Sequence, residues 1–106
     1  MMKPSEPEIR KRLIRFLDQD QDGLRRFVIQ QILEAGEITV ASLHCSVKER
    51  FAVSRRVVAS LIGYICSSLG LLRAHRSSYR SPIVYVLREE YAEIARYAVS
   101  GALSKA

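Results

Sequence analysis

The chain has 106 residues, of which 48% are hydrophobic and 26% are charged, and its formal net charge is +6. This composition is typical of a globular protein and excludes a largely disordered chain. No apolar run approaches the ~20 residues that a membrane-spanning helix needs, the first residues lack the apolar core of a signal peptide, and two cysteines are too few for a disulfide scaffold. We therefore expect one cytoplasmic domain over residues 1–106 with reduced thiols.

Hydrophobic periodicity predicts three helices in the first half of the chain. An N-terminal helix is expected over 8–18, a second over 24–35 after the polar stretch 18–23, and a third over 40–50 after a short strand-like bridge at 37–39. Gly36 suits the left-handed residue that follows a helix end. The positions expected to be buried are Ile9, Leu13, Phe16, Leu17, Leu24, Phe27 or Val28, Ile32, Val40, Leu43, Val47 and Phe51.

The pattern of the second half of the sequence predicts a helix, a β-hairpin and a last helix. Ser54 is a good N-cap for a helix over 54–69, which Gly70 closes. Strands over 71–75 and 82–87, rich in β-branched residues, enclose a polar loop, and a final helix is expected over 89–103. The residues of helix 54–69 expected to face inward are Val57, Val58, Leu61, Ile62, Ile65 and Leu69.

The stretch 18–23 carries the first half of a calcium-binding EF-hand loop, with Asp18, Asp20, Asp22 and Gly23 at the matching positions. The second half of the motif is missing, because Ile29 stands where a bidentate glutamate should complete the coordination shell. We therefore expect no metal site, and we interpret Asp20 or Asp22 as a cap for the helix that follows.

All of the net charge lies in residues 44–80, which contain seven lysine and arginine residues and one glutamate, whereas both flanks are neutral. Positive charge at this density attracts a polyanion and releases its counterions. The basic residues are Lys48, Arg50, Arg55, Arg56, Arg73, Arg76 and Arg80. Their position coincides with helix 54–69 and the hairpin after it.

The order of helix, short strand, helix, tight turn, helix and hairpin resembles that of winged helix-turn-helix transcription regulators. The resemblance lies in Ile38-Thr39-Val40-Ala41-Ser42-Leu43, in Val53-Ser54-Arg55-Arg56-Val57-Val58 and in Ser68-Leu69-Gly70-Leu71-Leu72. In overall layout the chain is similar to an archaeal winged-helix family of unknown function. The resemblance implies an α+β, mainly helical winged helix-turn-helix over 24–88, with additional N- and C-terminal helices.

Sequence-specific binding of double-stranded DNA is the function that this resemblance and the charge pattern favour. Helix 54–69 would enter the major groove, with Arg55 or Arg56 reading a base and the other holding a phosphate. The basic segment 73–81 would contact phosphates or the minor groove. The residues expected to bind DNA are Ser54, Arg55, Arg56, Ser60, Tyr64, Arg73, His75, Arg76 and Arg80.

The terminal helices carry apolar stripes that a minimal winged helix does not require. They could thicken the core of the monomer, or they could pair across a two-fold axis, and we expect a homodimer whose half-sites lie about 34–36 Å apart. The stripe residues assigned to dimerisation are Ile9, Leu13, Phe16, Tyr91, Ile94 and Ala98.

No catalytic constellation is present, and we expect a protein that is not an enzyme and uses no cofactor. Cys45 and Cys66 do not form a metal motif with the two histidines, and Cys66 is expected to be a small core residue. The rival interpretation of the function is a winged-helix module that docks an acidic protein of the transcription machinery. Its motivation is the apolar content outside the basic stretch, together with the five tyrosines of the chain.

Overall fold

The computed structural model describes residues 4–101 and contains, within that range, five α-helices and one sheet of three short antiparallel strands. The protein is therefore a mainly helical α+β structure. In chain order the elements are α1 (Glu6–Asp18), α2 (Leu24–Ala35), β1 (Glu37–Ile38), α3 (Val40–Val47), α4 (Arg55–Tyr64), β2 (Leu72–His75), β3 (Val84–Leu87) and α5 (Ala92–Val99).

The first helices begin at capping residues. The Ser5 hydroxyl accepts the Glu8 N–H at 3.4 Å, so α1 starts two residues before the predicted position. Thr39 and Ser42 form a reciprocal capping box at the start of α3, each side chain accepting the other's backbone N–H at 3.0 Å. The third helix ends at Val47 rather than at residue 50.

Aspartates 20 and 22 cap α2, as the sequence predicts. The Asp20 carboxylate accepts the backbone N–H groups of Arg25 and Arg26 at 3.0 and 3.1 Å, and Asp22 accepts that of Leu24 at 3.1 Å. These bonds satisfy backbone donors that have no partner inside the helix, and they place negative charge at the positive end of the helix dipole.

The predicted helix over 54–69 is interrupted. It is α-helical to Tyr64, and residues Ile65–Leu69 form a π-helical turn. The N–H groups of Gly70 and Leu71 both donate to the Ile65 carbonyl, at 3.0 and 3.1 Å, and Gly70 is left-handed with φ +86°. This turn redirects the chain from α4 into β2.

The central strand of the sheet is β3, which pairs with β1 on one side and with β2 on the other. Leu72 lies opposite Leu87 and His75 opposite Val84, while Ile38 lies opposite Tyr85. Both strands of the hairpin are shorter than predicted. In particular, β3 begins at Val84, after Pro82, which cannot donate a ladder hydrogen bond.

The C-terminal helix is shorter than predicted at both ends. Residues Glu89–Tyr91 form a 3-10 turn, and α5 ends at Val99. After this end the Gly101 N–H donates to the Ala98 carbonyl at 3.1 Å, and Gly101 is left-handed with φ +87°. The predicted helix end at residue 103 lies outside the described residues. No helix within residues 4–101 has the length and apolarity needed to cross a membrane.

The core includes the apolar stripes of both terminal helices, because α1 packs against α5 and α2. All six residues assigned to dimerisation are buried within the single chain, namely Ile9, Leu13, Phe16, Tyr91, Ile94 and Ala98. Of the two alternatives for these stripes, the structure shows the thickened monomer core. Side chains already covered in the monomer have no free surface to offer to a second copy.

Candidate nucleic-acid interface

The helix that carries the candidate DNA-binding residues is fixed firmly to the core. The Ser54 hydroxyl accepts the Val57 N–H at 3.2 Å, which confirms Ser54 as the N-cap of α4. Val58 and Ile62 are fully buried and anchor the inner face of α4. The segment that enters α4 is held by His44, whose Nε2 donates to the Val53 carbonyl at 3.2 Å. The outer face of α4 is thus presented on a rigid support.

The outer face of α4 carries cations without partners. Arg55, Arg56 and Ser60 are exposed. Within residues 4–101, neither arginine has a carboxylate oxygen within 4.0 Å. An unpaired guanidinium keeps its full charge and all of its donors for an anion from outside the chain.

The hairpin presents a second set of exposed basic side chains. Every residue from Arg73 to Arg80 is exposed, including the predicted contacts His75 and Arg76. The loop has internal structure: hydroxyls of Ser77 and Ser78 lie 3.1 and 2.8 Å from that of Ser81, and the Ser81 N–H donates to the Ser78 carbonyl at 3.2 Å.

The candidate residues fall on two elements. Arg56, Ser60 and Tyr64 line one groove beside α4, whereas the four basic residues of the hairpin lie on β2 and the loop that follows. Tyr64 has a structural role as well, because its ring stacks on Phe16 of α1 with centroids 5.6 Å apart. The π-helical turn joins the two elements.

One flank of α4 differs from the prediction. Val57 was expected inside but is 42% exposed, because the chain segment beside it is the polar connection from α1 to α2 rather than a helix face. Asp20 and Asp22 of that connection line a groove together with Val57 and Leu61. The carboxylates repel phosphate, so a polyanion is favoured at the Arg56 side of α4 and disfavoured at this flank. The sequence places these aspartates 35 or more residues from Val57 and gives no signal of the contact.

One of the seven basic residues is engaged within the protein. The Arg50 guanidinium lies over the Phe27 ring, 5.1 Å from its centroid. This cation–π contact holds the side chain near α2. The other six basic residues of the stretch, namely Lys48, the two arginines of α4 and the three arginines of the hairpin, form no ion pair within residues 4–101.

The two cysteines are free thiols: Cys45 is exposed, and Cys66 is half-buried and packs against the core rather than inside it. Burial raises the pKa of the Cys66 thiol, although nearby Arg88 and the Ala74 backbone act in the opposite direction. A raised pKa favours the unreactive thiol over the thiolate.

The Arg88 Nε atom is buried and has no hydrogen-bond partner among residues 4–101. Within the same residues, no cluster of three histidine, cysteine or acidic side chains could hold a metal ion.

Comparison with known proteins identifies relatives by sequence. The profile of a family described as "Protein of unknown function (DUF2551)" matches residues 13–95. An uncharacterized protein of Archaeoglobus fulgidus is 31% identical over 90 residues, a match that covers 84% of this chain and 90% of the relative. No solved structure gives a significant match.

Proposed function

The chain belongs to the DUF2551 family of proteins of unknown function, and we propose that it is a winged helix-turn-helix protein that binds double-stranded DNA as a transcription regulator. The residues themselves carry this proposal, because the family description assigns no activity. The observation behind it is that the exposed arginines of α4 and of the hairpin are five of the seven basic residues in the stretch 44–80, which holds the entire net charge.

The order and pairing of the elements support the winged-helix part of the proposal. The elements α2, β1, α3, α4 and the β2–β3 hairpin follow one another in the order that the sequence resemblance predicts. The strand before α3 also joins the hairpin, so that β1 pairs with β3 and completes a small sheet. In this arrangement α4 is the recognition helix and the β2–β3 hairpin is the wing.

Each element has a distinct role in the proposed complex. The N-terminal half of α4 lies in the major groove, where Arg55 or Arg56 bonds the O6 and N7 atoms of a guanine and the other arginine contacts a phosphate. The wing supplies Arg73, His75 and Arg76, with Arg80, to phosphates or to the minor groove. The carboxylates of Asp20 and Asp22 keep the opposite flank of α4 away from the DNA backbone.

The proposal includes two-fold pairing on a palindromic site, since two copies of α4 would then read two half-sites. The dimer interface must be formed by exposed residues, because the six stripe residues of α1 and α5 are buried within one chain. Pairing on the DNA alone is compatible with a protein that is monomeric in solution.

Selection of binding sites from a random duplex pool tests whether the proposed binding is sequence-specific. We expect a motif to be enriched, and we expect Arg55→Lys or Arg56→Lys to relax the preference at one position, because lysine keeps the charge but loses the bidentate geometry. The cost at that position should be about 1–3 kcal/mol. Bound duplexes without any enriched motif would refute sequence-specific recognition and leave only non-specific binding.

A further inference from the structure

An open groove of about 420 Å³ lies between α4 and the region where α1 meets α2. Val57 and Leu61 give it apolar walls, the buried Phe16 is also among its lining residues, and its volume is in the range typical of small-molecule sites. It opens along the flank of α4 that the sequence predicts to be buried. The remaining lining residues are Gln19, Arg25, Arg56, Ser60 and Tyr64.

The polar groups of the groove are of two kinds, fixed and unpartnered. Arg25 is fixed: its guanidinium lies 4.7 Å from the centroid of the Phe16 ring and donates to the Phe16 carbonyl at 3.0 Å and to Gln19 Oε1 at 3.3 Å. Within residues 4–101, the guanidinium of Arg56 and the hydroxyls of Ser60 and Tyr64 have no hydrogen-bond or ion-pair partner. A few polar groups converging on apolar walls are the usual features of a ligand pocket.

The charges of the groove select an anion. A second groove of the same volume, about 420 Å³, lies between α1 and α5, and it also contains one exposed tyrosine. That groove has two carboxylates, Glu6 and Glu93, against one lining arginine, and Glu93 also pairs with Arg96. The α4 groove has two arginines and no carboxylate among its lining residues. The two grooves thus have the same volume but differ in charge, and of these two only the α4 groove suits a negative ligand.

The ring contacts indicate what the rest of the ligand should be. Tyr64, whose ring stacks on the buried Phe16, is 47% exposed, and Val57, which lines the same groove, is 42% exposed. These surfaces favour a flat apolar group, and the guanidinium of Arg56 favours an anionic group at its end. Asp20 and Asp22 line the adjoining groove, so the anionic group should lie at the Arg56 end, away from them.

We propose that the α4 groove binds a small anion that carries an aromatic ring, and that this ligand competes with DNA for Arg56, Ser60 and Tyr64. The second half of this inference rests on the proposed function, because it assumes that these three residues face DNA. Ligand and duplex would exclude each other by occupying the same side chains. The domain would then sense a metabolite with the same helix that it uses for DNA.

Titration with anilinonaphthalene sulfonate, which joins aromatic rings to a sulfonate, tests the site by nuclear magnetic resonance of the 15N-labelled protein. We expect saturable binding with amide shifts centred on Gln19, Arg25 and Ser60. The Arg56→Glu substitution should weaken the binding at least about tenfold, because it replaces the charge-assisted hydrogen bonds of the guanidinium with a carboxylate that repels the sulfonate. Arg56 is exposed, so the variant should fold, and Arg56→Gln gives a milder second test.

The matched control is Arg10→Glu in the groove between α1 and α5, which should leave the affinity for the probe unchanged. Shifts centred on that second groove, shifts that do not saturate, or equal affinity of the Arg56→Glu variant would overturn the ligand site.

Displacement of a fluorescent duplex by the probe tests the competition between ligand and DNA. We expect the probe to release the duplex over the same concentration range in which it shifts the groove amides. If the probe occupies the groove while the protein does not bind any duplex, the proposed function fails and the ligand site stands. If the protein binds the duplex while the probe causes no groove shifts, the ligand site fails and the proposed function stands.

Discussion

Replacing Gly70 by alanine should destabilise the protein more than the same change at a glycine of equal backbone geometry. Gly70 closes the π-helical turn with φ +86° and ψ +13°, and Gly23 precedes α2 with φ +87° and ψ 0°. The two positions differ in their surroundings. A Cβ at Gly70 would lie 2.8 Å from Cγ and 3.0 Å from Cδ of Pro4, whereas a Cβ at Gly23 has no neighbour within 4 Å.

The expected costs follow from this difference. A left-handed alanine costs about 1–2 kcal/mol, part of which is offset by the lower entropy of its unfolded chain, so Gly23→Ala should cost about 1 kcal/mol. Gly70→Ala has the same cost for its left-handed backbone, and the overlap with Pro4 adds a further cost of about 1–3 kcal/mol. The clash also bears on the N-terminal segment, because the Pro4 carbonyl accepts a hydrogen bond from the Tyr91 hydroxyl.

Urea unfolding followed by circular dichroism measures these costs in a double-mutant cycle. Pro4→Ala removes Cγ and Cδ but keeps the carbonyl that Tyr91 uses, so in this background Gly70→Ala should cost about 1 kcal/mol, as Gly23→Ala does. Two results would contradict the contact between Pro4 and the π-helical turn: equal costs for the two glycines in the wild-type background, or no coupling between Pro4 and Gly70.

Three further predictions concern α4, the thiols and the oligomeric state. Ser54→Ala should lower the free energy of unfolding by about 1 kcal/mol, because the Val57 N–H loses its acceptor; an unchanged urea midpoint would contradict the cap. Cys66 should react with iodoacetamide more slowly than exposed Cys45 at pH 8, because burial raises the pKa of the Cys66 thiol; peptide mass spectrometry measures both rates, and faster alkylation of Cys66 would contradict its burial. Light scattering should show that duplex DNA with two half-sites binds two chains, and a stoichiometry of one chain would refute two-fold pairing.

The sequence predicts the helices best where capping residues and apolar periodicity agree. The helix α2 has the predicted bounds, because Asp20 and Asp22 cap its start and Gly36 ends it. The prediction fails where a turn depends on distant contacts. The helix over 54–69 looks continuous in sequence, but its last residues turn around the Ile65 carbonyl, and Gly70 lies against Pro4 from the other end of the chain.

Periodicity identifies an apolar face but does not say what covers it. The stripes of α1 and α5 are correctly predicted as apolar, yet they cover each other rather than a second copy. The prediction for Val57 is wrong in the opposite sense: its apolar side chain was expected to be buried but is exposed, because the polar α1–α2 connection lies beside it. The α4 groove is a product of the same long-range packing, and the one signal for it in the sequence is the spacing of Val57, Leu61 and Tyr64 along one side of a helix.

The central claim, that α4 and the wing form a DNA-binding surface, is tested most directly by fluorescence anisotropy with a generic duplex at several salt concentrations. We expect log K to fall linearly with log salt, with a slope of about −0.9 per phosphate contact, and we expect an Arg55→Ala/Arg56→Ala double variant to bind more weakly with a shallower slope. Absence of binding by the folded wild-type protein even at low salt would contradict the claim and favour an acidic protein as the partner.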